Sequence, residues 1–211
     1  MAPLPLDRPP GWQKALLLRM FEAAIAAGKS TVASLWESLG ATIVDADVLA
    51  REAVAPGSAG LAAVAESFDG VLTADGELDR KALAAFVFND PSKRAKLEGI
   101  VHPIVRELSR KYISEAKTSV VVYVVPLLVE ADVDLPFDYV VTVEAPEPEQ
   151  VKRLVASRGM TEAEALARIK SQTSAGHRAN RADVILNSNQ DKELLMRDAR
   201  LLFERLQEMA K

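Results

Sequence analysis

The sequence predicts an α/β fold built on a parallel sheet with helices on both faces. Three observations lead there: short apolar runs that are β-branched and almost unbroken, helix-like segments alternating with them, and a Gly28-Lys29-Ser30 triplet that ends like a phosphate-binding loop. Runs of this make-up suit strands buried on both faces and are too short for helices of the same character. Their alternation with helical patterns is the signature of a parallel sheet.

In chain order, residues 1–14 (MAPLPLDRPPGWQK) are proline-rich and lack the charged start, apolar run and cleavage site of a signal peptide, so they are expected to form a flexible extension. Residues 15–211 are expected to form a single domain. ALLL, continuing to about Phe21, is the expected central strand. A competing pattern runs through it. Leu18, Phe21, Ile25, Gly28, Val32, Leu35 and Leu39 recur at alternate steps of three and four, which alone reads as one amphipathic helix over 14–39. The strand is preferred because a sheet stripped of its central member leaves backbone groups unpaired. The helix after Gly28 sets Trp36 beside Val32 and Leu39, a packing position.

ATIVDAD (41–47) is the next strand. Residues 48–116 then form a mostly helical insertion: LAREAVA, GLAAVAESF, DRKALAAFVF, and a segment opened by Asp90 at the cap and Pro91 at the first helical position. That segment is expected to bend or break at His102-Pro103, because proline disfavours helical geometry in the residue before it. Strands SVVVYVVPLLVE (119–130), ended by Pro126, and FDYVVTVEAP (137–146) follow. Thr161 and Glu164 form a capping box that starts a helix at 162. Arg158, Arg168, Arg178 and Arg181 lie in or beside it, and read either as a solvated face or as partners of a nearby phosphate. RADVILNSN (181–189) is the last strand and DKELLMRDARLLFERLQEM an amphipathic closing helix.

Composition narrows the function. With 211 residues, 49% of them apolar, the chain supports one sizeable core and a smaller lobe. A net charge of −4 argues against nucleic acid held by bulk charge. The absence of cysteine excludes disulfides and cysteine metal sites and fits a reducing cytoplasm. His102 and His177 are too scattered to make a metal site. No apolar stretch reaches the length of a membrane span, so a soluble protein without a membrane partner is expected. Oligomeric state is left open.

GKSTVASLWESLGATIVDADVLARE, VAPGSAGLAAVAESF, DGELDRKALAAFVFNDPSKRAKLEGIVHPIVR, YVVPLLVE, EQVKRLVASRGMTEAEALARIKSQ and RADVILNS span about residues 28–190, and in that order and spacing they resemble the dephospho-CoA kinase family. The resemblance implies ATP-dependent phosphorylation of the 3′-hydroxyl of dephospho-CoA, with Mg²⁺. It implies a doubly wound, five-stranded parallel sheet of the P-loop type, a CoA-binding helical lobe at 48–116 and a lid near 158–181. By the same resemblance Gly28, Lys29, Ser30 and Thr31 bind ATP, with Lys29 on the outer phosphates and the Ser30 hydroxyl on the metal. Asp47 is the candidate for taking or orienting the acceptor hydroxyl's proton, and Asp45, Arg51 and His102 line the substrate side. Arg153 is matched to the transferring phosphate, and Arg168 adds charge from the lid.

One stretch departs from the family. Where relatives read LTGGIGSGKST, this chain has FEAAIAAGKST (21–31), so Glu22, Ala23, Ala24, Ala26 and Ala27 all differ. Glycine serves such a loop through left-handed backbone angles and close approach to phosphate. Alanine forced into those angles costs roughly 1–2 kcal/mol per position, and an ionised Glu22 accepts hydrogen bonds but donates none to a phosphate. The expectation is a distorted loop with reduced ATP affinity. Two other readings stand beside it. One is a catalytically inactive CoA-binding scaffold or regulatory paralogue. The other is a kinase for another acceptor, such as a nucleoside monophosphate or shikimate, against which DADVLAR and the helical insertion speak.

Overall fold

A computed structural model describes residues 16–21, 26–88, 90–125, 135–172 and 175–210. The expected extension at 1–14, the substitutions at Glu22, Ala23 and Ala24, and Pro126 lie outside the described residues. In chain order the elements are β1 (Leu16–Phe21), α1 (Lys29–Ser38), β2 (Thr42–Asp45), α2 (Ala46–Ala53), α3 (Ala59–Ser67), α4 (Arg80–Val87), α5 (Pro91–Glu115), β3 (Val120–Val125), β4 (Tyr139–Glu144), α6 (Glu147–Arg158), α7 (Glu162–Lys170), α8 (Ala175–Ala179), β5 (Val184–Asn187) and α9 (Lys192–Met209). They divide into two compact units, Met1–Val44 with Ile113–Lys211, and Asp45–Tyr112.

The first unit holds a five-stranded sheet of order β2-β3-β1-β4-β5. Strand β1 is central. It runs parallel to β3 from Leu16 opposite Val120 to Phe21 opposite Val125, and parallel to β4 from Leu18 opposite Tyr139 to Met20 opposite Val141. The helical pattern across 14–39 is therefore not realised: pairing on both edges of β1 satisfies its backbone, and the helix begins only at Lys29. β3 is buried along its whole length, as an unbroken valine-rich run in a covered parallel sheet should be.

Two aspartates set the register at the amino end of the sheet. Asp138, just ahead of β4, accepts the Leu17 N–H on its carboxylate at 2.7 Å and donates its own N–H to the Leu17 carbonyl at 2.8 Å. Asp183, just ahead of β5, brackets Val140 in the same way, at 2.8 Å for both bonds. Each acid thus supplies a ladder bond that a side-by-side strand end would otherwise lack.

The core on one side of this sheet joins Leu18, Val122 and Val143 to α1 and α9. Trp36 is fully buried; its indole N–H donates to the Ala199 carbonyl at 2.8 Å and its ring stacks on Phe203 with centroids 6.0 Å apart. α9 presents Leu195, Ala199, Phe203 and Leu206 on one stripe, the closing amphipathic helix the sequence predicts. A smaller cluster of Leu154 and Ala165, with Val151, Met160 and Ile169, holds α6 against α7. α7 starts at Glu162 under a complete capping box, in which Thr161 Oγ1 accepts the Glu164 N–H and the Glu164 carboxylate accepts the Thr161 N–H.

The second unit is helical, with Val64, Phe68, Val71 and Leu83 at its core. Ser58, Asp79 and Asp90 cap α3, α4 and α5 through side-chain oxygens. Gly60 is required by space, because a Cβ there lies 2.1 Å from the Ala53 carbonyl oxygen. The expected break at His102-Pro103 does not occur, and α5 runs on through Pro103. Pro103, which has no N–H to give the Gly99 carbonyl, and Gly99 are both exposed, while Val105, two residues on, is fully buried. Among the described residues no helix is long and apolar enough to cross a membrane.

Replacing Trp36 with Phe should remove the Ala199 bond and part of the buried volume, destabilising the chain by about 1–3 kcal/mol in urea unfolding. Glu164 is held below the usual carboxylate range, first by the Thr161 backbone N–H and then by its hydroxyl. A carboxyl depressed by folding contributes stability above its unfolded value, lost as pH falls through the folded one. Protection factors of the amides at the start of α7, taken against intrinsic exchange at each pH, should therefore fall on acidification through the carboxylate range, and Glu164→Gln should flatten that response.

Candidate active site

In an open parallel sheet, ligands bind outside the carboxyl ends of the strands. β1 ends at Phe21, and α1 begins at Lys29 after the described turn at residues 26–28. Ala26 has φ of 63° and Gly28 φ of 96°. Ala26 is the one non-glycine with positive φ among the described residues, so the left-handed turn is kept even where alanine occupies it. Its methyl packs against the Leu154–Ala165 cluster, and the Ala27 methyl is buried in the sheet core.

Gly28 is the N-cap of α1 and offers no side chain to satisfy the helix's first amides; the first intrahelical bond runs from the Val32 N–H to the Gly28 carbonyl. The N–H groups of Lys29, Ser30 and Thr31 thus head the helix without a cap, where the helix dipole favours an anion. Among the described residues the Lys29 ammonium and Ser30 hydroxyl have no hydrogen-bond or ion-pair partner, and Ser30 is exposed. A single exposed hydroxyl suits Mg²⁺, which keeps most of its waters and takes its other ligands from substrate phosphates. No group of three acidic, His or Cys side chains among the described residues could hold a metal by itself.

Arg153, from α6, reaches this region and is half-buried. It donates from Nη1 to the Ala26 carbonyl at 3.2 Å and to Ser188 Oγ at 3.0 Å, from Nη2 to the Ser188 carbonyl at 2.7 Å, and from Nε to Glu149 at 2.9 Å. Ser188 follows β5 directly. Neither Ser188 nor Glu149 is among the sequence-derived site residues; the Glu149–Arg153 spacing of four was a readable signal, whereas nothing in NSN singles out Ser188. Beside them Arg178, which a solvated-face reading places at the surface, is instead buried and forked onto Glu144 at 2.7–2.8 Å. Breaking such a buried pair costs about 3–5 kcal/mol. Arg158, Arg168 and Arg181 are exposed, with Arg168 in the last turn of α7.

The remaining site residues belong to the second unit. Asp45 ends β2 and caps α2 by accepting the Asp47 N–H at 2.8 Å. Asp47 and Arg51 are exposed one helical turn apart. His102 is half-buried on α5.

A parallel sheet of order 2-3-1-4-5, whose central strand leads through a left-handed turn to an uncapped helix start with Lys and Ser in its first turn, defines a kinase of the P-loop class. The dephospho-CoA kinase family model matches residues 21–193, and the chain belongs to that family. It is 44% identical over 188 residues to a dephospho-CoA kinase of Thermobifida fusca, covering 87% of this chain and 92% of that one. A dephospho-CoA kinase of Streptomyces avermitilis is 46% identical over 175 residues, covering 82% and 85% respectively. Among solved structures, TT1252 from Thermus thermophilus superposes with a TM-score of 0.78 at 32% identity, covering 91% of this chain and 98% of that one.

Proposed function

We propose that this chain transfers the terminal phosphoryl group of ATP to the 3′-hydroxyl of dephospho-CoA. The observation that carries the reading is the uncapped start of α1, with Lys29 and Ser30 in its first turn, at the end of the sheet's central strand. The acceptor oxygen bonds to the γ-phosphorus as the bond to the β-phosphate oxygen breaks, and ADP leaves. In such a transfer the protein mainly positions reactants and neutralises charge. The N–H groups of Lys29 to Thr31 bind phosphate oxygens, and the Lys29 ammonium reaches the outer phosphates. Ser30 would hold a magnesium ion, which when bound neutralises phosphate charge. Asp47 takes or orients the proton released by the acceptor hydroxyl.

Asp45, through its bond to the Asp47 N–H, sets the first turn of α2, while Arg51 and His102 serve the acceptor. Residues 158–181 act as the lid and bring the Arg168 charge to the phosphates. The helical segment 48–116 binds the CoA moiety. Affinity for ATP is reduced relative to a glycine-rich loop, because Glu22 repels a polyanion and Ala23 and Ala24 lack glycine's backbone freedom.

A coupled assay with ATP and dephospho-CoA should give ADP and CoA. Lys29→Ala should lower kcat/KM by about 10²–10³-fold, and Asp47→Asn should lower kcat by about 10²-fold or more while leaving ATP binding by calorimetry intact. Dephospho-CoA binding without product formation at saturating ATP would sink the kinase reading in favour of a scaffold. Combining Glu22→Thr, Ala23→Gly and Ala24→Gly should lower the ATP KM by about tenfold or more; an unchanged KM removes the loop from the explanation.

A further inference from the structure

Helix α2 carries Asp47 and Arg51, and its buried face is Ala46, Leu49 and Ala53. Two of those three present only a methyl group, and ridges so shallow do little to stop a helix rolling about its own axis. At about 100° per residue, α2 turns Asp47 and Arg51 away from that seam and sets Glu52 on its flank. The ends of α2 are tied by the Asp45 cap and by the Ala53 carbonyl, which accepts the Ser58 hydroxyl at 3.0 Å. Gly60 presses on the same carbonyl, and a Cβ there would clash with it. These ties lie at the main chain, close to the helix axis, and resist sliding more than roll. Glu52 is held farther out. The Tyr112 hydroxyl, from α5, meets both of its carboxylate oxygens, at 3.0 and 3.2 Å.

We propose that Tyr112 is a positioning residue for the acceptor side of the reaction: by donating to Glu52 it fixes the roll of α2, and with it the direction in which Asp47 and Arg51 point. The bond acts at the rim of the helix, roughly 5 Å from its axis, where a given force opposes rotation best. A phenol on an ionised carboxylate is a charge-assisted bond, stronger than one between neutral groups. Contact with both oxygens also sets the plane of the carboxylate. A small turn of α2 moves Asp47 and Arg51 together, so the brace governs both through one contact. The inference rests on the assignment of Asp47 and Arg51 to the acceptor.

The test is a double-mutant cycle between Tyr112 and Glu52, read as the dephospho-CoA and ATP Kd by calorimetry, the KM for each substrate, and the amide NMR shifts of Asp47 and Arg51. Tyr112→Phe removes only a hydroxyl, and both partners are exposed, so the fold survives the change. It should raise the dephospho-CoA Kd and KM by about threefold to tenfold and leave the ATP Kd unchanged. Glu52→Ala should do the same, and the double variant should lose no more than either single one. Glu52→Gln keeps an oxygen for the phenol and should stay within about twofold of the parent chain. Additive losses overturn the brace, as does a dephospho-CoA Kd that Tyr112→Phe leaves unchanged or a loss shared equally by ATP. If the chain binds no dephospho-CoA, the acceptor assignment fails and the amide shifts still read the brace. They should move in Tyr112→Phe and Glu52→Ala and hold in Glu52→Gln; shifts that stay put in all three overturn it.

Discussion

A chain that leaves a buried strand and enters a helix pointing its first amides at an anion must pass through left-handed backbone. The rest of the first unit depends on how that turn is held. Glycine makes it at no steric cost; this chain makes it with Gly28 at φ of 96° and with Ala26 at 63°. The alanines are not idle in exchange. Ala27 is part of the core under α1, and Ala26 is packed on the cluster joining α6 to α7. Residues that disfavour the turn in an isolated loop therefore gain contacts that glycine lacks.

The surroundings of the turn are tied down by polar contacts of unusual economy. Asp138 and Asp183 set the amino ends of neighbouring strands with one carboxylate and one amide each. At the carboxyl ends the ties are charged: Arg178 forks onto Glu144, whose carboxylate also accepts the Thr142 hydroxyl at 2.7 Å, and Arg153 spans three segments. Groups of this kind are costly to bury unpaired and specific when paired. They fix the ends of β1, β4 and β5, around which a phosphate ligand of this fold binds.

The chemistry is divided along the chain. The residues proposed to bind phosphate lie in the sheet-bearing unit, and those proposed for the acceptor lie on α2 in the helical one. Asp45 has an identifiable structural task as the cap of α2, whereas Asp47 and Arg51 are exposed in its first and last turns. Asp45 accepts the Asp47 N–H, and Asp47 itself is exposed.

The sequence by itself determined four of the five strands (β2 to β5), the closing helix, the caps at Asp90 and Thr161 and the Gly28-Lys29-Ser30 triplet, because each is encoded by neighbours: period, β-branching or a cap with its partner three residues on. Only the tertiary structure decided what local pattern left ambiguous. The apolar spacing across 14–39 favoured a helix, yet pairing with β3 and β4 makes β1 a strand. The His102-Pro103 step argued for a break, yet α5 continues through Pro103. The burial of Arg178 and the meeting of Arg153, Ala26 and Ser188 join residues up to 127 positions apart, a distance over which no sequence period reports. Long-range partners are chosen by strand order and packing, and those come into being only when the sheet closes around its central strand.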